Sequence, residues 1–542
     1  MTIISYLIFY NLSFLCGRSF LILISRLFKK DIKDIKIAEI NISSFSPLIF
    51  LFILGNLSFI FNFIFPIKYL IYILIPIIFI NLLDLDFKNL TKNKLINLIV
   101  IPSFIGISSS DVGLHFDAGL YHLNFQNWLR ESNIVFGLSN IYTPYGWSSI
   151  NEYFSSVFWF NNNFIILHFI NLIFVTQFFS FLFNNLFTKN LIFRYSSFFI
   201  LIYGIIDNFG FNGGRNGFLS IQSIGKFDTS FAILYFFFSI LILKLLIDKT
   251  FLPNDIVFIS LFLLFCVQMK LTGLVCGVLY IFYFYKYKKN KKVTYTEIIK
   301  LNIFPFVLTF LWGLKNLLQT GCFLFGFELT CFNNLRWYEK GYANSLILDT
   351  QTFNQAYTFG DNLFDWLNQW YIKDGNQPFL LNFLLSIVLI TIGKYIFYKK
   401  KSFEKGIFNF YYFYILLSLI IWITGAPDPR FAYGIFLLVI GLLGADISGE
   451  KNFINRLLKK EVILYLVFFS CLVLTPRLNS YEAGINSLGS FRTVTIPKVE
   501  YKISEYWGEI PIKEECWVNL KCNKANKNLI ESKLLFYSIF EQ

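Results

Sequence analysis

Charge is what this sequence has least of. Only 15% of its 542 residues are Asp, Glu, Lys or Arg, where a soluble globular domain carries about 25%. With 56% hydrophobic residues and a mean hydropathy of +0.58, that scarcity excludes an ordinary soluble domain. The N-terminus has no basic start and no small-residue cleavage site, so no cleavable signal is expected. There is no internal repeat, no low-complexity linker and no C-x-x-C spacing. The abundant Phe, 70 residues in all, fits an AT-rich genome and carries little functional weight.

What is present is a series of apolar runs, the longer of which reach the roughly 18 to 20 residues that span a bilayer. The net charge of +14 first suggests a nucleic-acid partner. That reading is rejected, because Lys and Arg gather in short loops between the runs, the positive-inside pattern. Runs at 3–24, 47–63, 68–83, 95–107, 164–183, 198–206 and 231–246 are followed by runs at 256–267, 271–285, 301–318, 379–398, 408–423, 431–443 and 462–474. They predict an all-α polytopic membrane protein of about fourteen crossings with its N-terminus outside. Lys30, Lys289 and Lys400 then fall inside, and the segments 111–150, 319–378 and 476–542 outside. The expected organisation is N-terminal helices over 1–110, a first external loop over 111–150, the remaining core over 151–475, and a small external C-terminal domain over 476–542.

Of eight cysteines, Cys322, Cys331, Cys516 and Cys522 lie outside the apolar runs, all on the expected external side. Their close spacing predicts disulfides Cys322–Cys331 and Cys516–Cys522; a metal site from the four thiols is the alternative. Cys16, Cys266, Cys276 and Cys471 are expected only to pack.

The stretch 111–150 is the longest polar interruption in the first half of the chain. It holds His115 and His122, two of the three histidines, with Asp111, Asp117, Arg130, Glu131 and Trp147. Tyr121, Phe125, Trp128 and Leu129 share one helical face, which predicts an amphipathic helix lying flat on the membrane surface. Asp117 is placed to cap that helix, and a carboxylate there is also suited to general-base chemistry. Asp111, His115, Asp117 and His122 together suit a divalent metal, but their spacing matches no recognised ligand pattern.

Further along, Arg430 follows two prolines in Ala426-Pro427-Asp428-Pro429-Arg430, at a helix mouth. Its planar fork suits a phosphate; pairing with Asp428 is the plainer account. Lys270, Lys315 and Arg215 stand at external ends or loops, where snorkelling to the interface is the plain account and anion binding the functional one. Asp228 opens a crossing, as a cap or a second acid. Trp147, Tyr142, Tyr145 and Trp337 are candidates either for stacking on sugar rings or for an interfacial aromatic belt.

The pattern D-x-G-L-Y-H at 117–122, followed by W-x-x-E at 128–131 and G-L-x-N at 137–140, resembles the first external loop of a family of bacterial multi-spanning membrane proteins. Those proteins are similar to the GT-C fold of lipid-dependent glycosyltransferases. The likeness covers this loop and a few later patches, among them P-D-P-R-F at 427–431. It implies a GT-C-like fold and transfer of a sugar from a polyprenyl-phosphate donor to a glycan or lipid acceptor. The site would face the exterior of the bacterial inner membrane. Asp117, with His122 and Asp111, would be catalytic. Arg430, Lys270, Lys315, Arg215, Asp228, Glu131 and Trp147 would hold substrate. A transporter or flippase for lipid-linked glycans, and a polysaccharide polymerase or ligase, are the alternatives. A transporter should show mid-membrane charges and repeated halves; here the charges gather at external mouths.

Overall fold

The computed structural model describes residues 1–27, 36–74, 91–160, 162–211, 221–291, 294–373, 375–397, 405–447, 460–487, 489–524 and 528–541. The chain is mostly helical, with three small two-stranded antiparallel sheets. Among the described residues seven helices are long and apolar enough to cross a membrane, or up to ten if each of three bent pairs is one span. This is the make-up of a multi-pass membrane protein. The expected crossing at 95–107 is a run of helical turns over 92–110 with a π-type stretch at Ile96–Val100. Most of the run expected at 68–83 lies outside the described residues, as do Lys30 and Lys400.

Three helices set the geometry of the site. Asp228–Asp248 and Pro429–Ile447 pack side by side, and Leu191–Phe209 packs on the latter. The Ser196 hydroxyl donates to the Gly441 carbonyl at 2.7 Å. Pro253–Met269 lies against Asp228–Asp248. The Lys270–Asp228 contact shows that the residue just past the end of one helix meets the first of the other. Asp228 and Arg430, at the starts of neighbouring helices, and Lys270, just past the end of a third, therefore meet at one end of the bundle.

Contacts at the opposite end gather other basic segments. Lys244 pairs with Glu39 at 3.2 Å, Asn190 donates to Glu39, and the Lys92 ammonium lies over the Tyr465 ring. Tyr287, beside the lysine cluster at 286–291, packs on Phe251, two residues past Lys249. The described basic clusters thus share one end, as the charge pattern predicts.

The C-terminal region packs on the first loop. Its hairpin Ile530–Leu534/Tyr537–Glu541 adds to the first loop through a bridge at Phe136 and Ile539. Its disulfide loop covers the helix Leu123–Glu131, where Asn124 donates to the Asn519 carbonyl and Asn127 to the Val518 carbonyl. That helix was expected to lie on the membrane with its polar side in water. Instead Asn124 is fully buried, because a second layer of protein supplies the hydrogen bonds that water would otherwise give. The turns at 138–147 do fold back across it, with Tyr145 stacked on Phe125.

The cysteines pair as expected, Cys322 with Cys331 and Cys516 with Cys522. Cys16, Cys266, Cys276 and Cys471 are buried and free. Two measurements check this architecture. Unreduced peptide mapping should recover both disulfide links, each worth roughly 2–3 kcal/mol by loop closure. An impermeant thiol reagent on intact cells should label Thr352→Cys and Glu482→Cys but not Lys289→Cys; labelling of all three alike would overturn the topology.

Candidate functional site

The site begins with the turn Ala118–His122, which is π-helical: the Leu123 amide donates to the Ala118 carbonyl, five residues back. Such turns are rare and cluster at functional sites. Asp117 precedes it in right-handed helical conformation, φ −58° and ψ −27°, and its carboxylate makes no cap bond. The expected cap role falls to His115. Its carbonyl accepts the Ala118 amide at 2.9 Å, and its Nδ1 lies 3.1 Å from the Asp117 amide. The same Nδ1 is 3.3 Å from Asp117 Oδ2, so a bare Nδ1 accepts from the amide and an Nδ1–H donates to the carboxylate.

Asp117 is thereby released to face charge. Burial raises its pKa, but the His115 hydrogen bond and the charges of His115, His122 and Lys226 outweigh it and hold the carboxyl below its ordinary value. Folding stability from this group is therefore present above the unfolded Asp pKa. It is lost as pH falls through the lower folded value. Burial and the Arg430 charge together hold Lys226 below the ordinary amine range, against the pull of Asp117, Asp228 and Asp428. Burial, with Asp117, Asp228 and Glu152 nearby, pushes the Tyr121 phenol well up, so it stays a hydrogen-bond donor at neutral pH.

Against this turn sits the ion network of the helix ends. Asp228 Oδ1 takes the Lys270 ammonium at 2.8 Å, and Asp228 Oδ2 is 3.8 Å from Arg430 Nε. The same nitrogen is 3.3 Å from Asp428 Oδ2, yet it is buried without a hydrogen-bond partner of good geometry among the described residues. Phe431 carries both cations on its ring, Lys270 at 3.7 Å and Arg430 at 4.7 Å. The proline turn before Arg430 is held by two indoles: Trp370 donates to the Pro427 carbonyl and Trp422 to that of Asp428. On the other side of the π-turn, His122 Nδ1 is hydrogen-bonded to Glu152 Oε1. Gln126 donates to Glu152 Oε2 at 2.6 Å and accepts from the Trp159 indole.

The structure thus brings together Asp117, His122, Asp228, Lys270 and Arg430. It adds Lys226 and Glu152, which the sequence does not mark out, and Tyr121, which the sequence places only on the apolar face of the helix. Other candidates lie elsewhere. Asp111 accepts from the Ser480 hydroxyl. Glu131 pairs with Lys68 at 2.5 Å, about 20 Å along the helix from Asp117 at 1.5 Å per residue. Lys315 does not snorkel: it is fully buried, hydrogen-bonded to Ser148 and 3.7 Å over the Trp312 ring. Arg215 lies outside the described residues.

Trp147 is 38% exposed in the turn Thr143–Trp147. Tyr142 lies under the Lys524 ammonium. Tyr145 is buried and bonded to Asn124, so its ring is closed to a sugar, and Trp337 is half-buried and packed on Phe136. The set Asp111, His115, Asp117 and His122 does not converge. Among the described residues no three His, Cys, Asp or Glu side chains come close enough to hold a metal ion.

The π-turn is pinned from outside. The Trp517 amide donates to the Gly119 carbonyl at 2.8 Å, and a Cβ on Gly119 would stand 2.6 Å from the Trp517 indole. Trp517 lies inside the Cys516–Cys522 loop. Gly119→Ala should therefore overpack this contact and cost about 1–3 kcal/mol. Thermal denaturation should show the loss, with partial recovery when Trp517→Leu is added. Equal midpoints for parent and Gly119→Ala would contradict the packing.

A family model described as a domain of unknown function, DUF8201, matches residues 1–437. The match spans every charged residue of the cluster from Asp117 to Arg430 and stops before the C-terminal region. No curated protein and no solved structure matches the chain. Since the match covers well over half of its length, the chain belongs to the DUF8201 family.

Proposed function

We propose that this protein is a membrane glycosyltransferase. It moves a sugar from a polyprenyl-phosphate-linked donor to a cell-envelope glycan or lipid acceptor. The reading places it in the bacterial cytoplasmic membrane, with the site facing the exterior and a GT-C-like fold of about fourteen crossings. The observation that carries it is one juxtaposition. An ionised carboxylate, Asp117, stands in the field of Arg430 and Lys226, and the buried Arg430 Nε–H has no hydrogen-bond partner among the described residues. A base and a spare cationic donor in one cluster are what transfer from a lipid phosphate requires.

In this reading the acceptor hydroxyl loses its proton to Asp117 as its oxygen attacks the anomeric carbon. The bond from that carbon to the phosphate oxygen breaks, and its electron pair leaves with the lipid phosphate. Arg430, with Lys270 and Lys226, steadies the charge that develops there. Attack from the face opposite the leaving group inverts the anomeric carbon. Asp228 positions Lys270 and Arg430 instead of accepting a proton, since both are drawn to it. Tyr121 is a neutral donor at the same place.

The test uses purified protein, a polyprenyl-phosphate sugar and envelope acceptors. Asp117 makes no cap bond, so Asp117→Asn should fold and insert normally. As a lost base it should lower turnover by about 10²- to 10⁴-fold. Asp111→Asn, whose carboxylate accepts from the Ser480 hydroxyl away from the cluster, should leave turnover within a few-fold. Near-parental transfer by Asp117→Asn would remove Asp117 from the mechanism.

A further inference from the structure

The helix Leu363–Ile372 has three unlike sides. Trp366 and Trp370, four residues apart, are buried, and their rings are stacked. Asp365 and Gln369, also four apart, are exposed and polar. Leu363, Leu367 and Tyr371, with Phe364 beside them, form an apolar side. That side is open among the described residues: Phe364 is 80% exposed, and Leu363 and Leu367 are exposed as well.

The buried side grips the turn that carries Arg430. The Trp370 indole donates to the Pro427 carbonyl. Its ring stands edge-on to Trp422 at 5.6 Å, and Trp422 holds the Asp428 carbonyl. The helix therefore lies at the end of the bundle where Asp228, Lys270 and Arg430 meet.

The elbow behind the helix shows what the apolar side faces. The chain bends by 102° between Leu363–Ile372 and the helix Asn376–Phe397. Gly375 takes up the turn at φ 89°, a left-handed conformation that glycine adopts without strain. Buried Asn376 donates its side chain to the Trp370 carbonyl at 2.8 Å and its amide to the Lys373 carbonyl, so the angle is held. Asn376–Phe397 has 22 apolar-rich residues, about 33 Å of helix at 1.5 Å per residue, enough to cross a bilayer. Leu384, Leu385, Val388, Leu389 and Ile392 are exposed along one side of it.

With Asn376–Phe397 upright in a membrane, Leu363–Ile372 runs along the surface. Gln377, on the first turn of the upright helix, donates to the Tyr371 hydroxyl at 3.0 Å. Tyr371 belongs to the apolar side of the surface helix. Gln377 stands on the exposed side of the upright one, seven residues before Leu384 and eleven before Val388. The two apolar sides therefore face into the same angle, and a lipid monolayer is the body that fills an apolar right angle beside a spanning helix.

We propose that Leu363–Ile372 is a membrane-surface helix. It rests Leu363, Phe364, Leu367 and Tyr371 on the acyl chains beneath the lipid headgroups, and through Trp370 it holds the turn of Arg430 at headgroup level. Helices of this kind bury their apolar face about 5–10 Å into the headgroup boundary. The lipid contact is independent of the transferase reading; that the level so fixed is that of a donor phosphate rests on it.

The test uses the full chain in nanodiscs of phosphatidylethanolamine and phosphatidylglycerol. An environment-sensitive fluorophore is attached in turn to Phe364→Cys, Leu367→Cys, Gln369→Cys and Gly425→Cys. The parent, whose free cysteines are buried, is the blank. The first two side chains are exposed, and a Cβ on Gly425 meets nothing within 4 Å, so these variants should fold. Labels at Phe364 and Leu367 should lose several-fold more emission to a lipid with a nitroxide high on its acyl chain than to aqueous iodide. The label at Gln369 should show the reverse. The label at Gly425, just before the proline turn, should be quenched more by the high nitroxide than by one at the chain end.

Iodide quenching of both Phe364 and Leu367 labels would put the helix in water and overturn the proposal. Protection of both from either quencher would mark cover by protein, a second copy included, and overturn it too. At Gly425 the reverse order of nitroxides, or quenching by iodide alone, would put the turn at another level and overturn the placing of Arg430. None of these readouts uses sugar transfer, so the transferase reading stands or falls separately on Asp117→Asn.

Discussion

A carboxylate at the mouth of an apolar bundle must be met by cations, because an uncompensated buried charge costs several kcal/mol. Asp228 is that carboxylate. Its two oxygens are approached by Lys270 and Arg430, which come from the end of one neighbouring helix and the start of another. Meeting them fixes the relative height of Asp228–Asp248, Pro253–Met269 and Pro429–Ile447. It also leaves Arg430 Nε within ion-pair range of two acids but hydrogen-bonded to neither. The remainder of the site is laid over this network: the π-turn with Asp117 and Tyr121 on one side, Lys226 from the preceding loop, and His122 with Glu152 behind.

The bundle and the approximate place of the site were legible in the sequence; its internal connections were not. Apolar length, lysine position and cysteine spacing are local properties, and they foretold an all-α polytopic make-up, the shared end of the described basic clusters and the two disulfides. Asp228, Lys270 and Arg430 could each be placed at a helix end, but their meeting depends on which helices are neighbours, and no periodicity carries that. Glu152 reads as an ordinary acid in a short helix, thirty residues from its partner His122. The π-turn has no composition of its own. It turned an expected cap, Asp117, into a carboxylate that makes no cap bond and pairs with His115, and handed the cap to His115.

Other departures have the same origin. Lys315 looked like a snorkelling residue because it stands near a helix end, yet the Trp312 ring and Ser148 meet it inside the protein. The polar side of Leu123–Glu131 looked water-facing because nothing nearby in sequence covers it. The cover comes from residues 518–519, almost four hundred positions later. Trp517 in that same region presses on Gly119, so the C-terminal region, outside the family match, holds the turn that shapes the site.

The central claim is that the Asp228, Lys270 and Arg430 end of the bundle receives a lipid phosphate. The direct measurement is binding of a fluorescent polyprenyl phosphate to the detergent-purified protein, compared with the same polyprenol lacking phosphate, in the parent and in Arg430→Lys. The lysine keeps the charge that Asp228 needs but removes the planar fork. The account predicts that the phosphate lipid binds the parent well above the polyprenol, and that Arg430→Lys weakens it on the order of tenfold, about 1.4 kcal/mol. Equal affinity for the two lipids, or an unchanged affinity in Arg430→Lys, would contradict it.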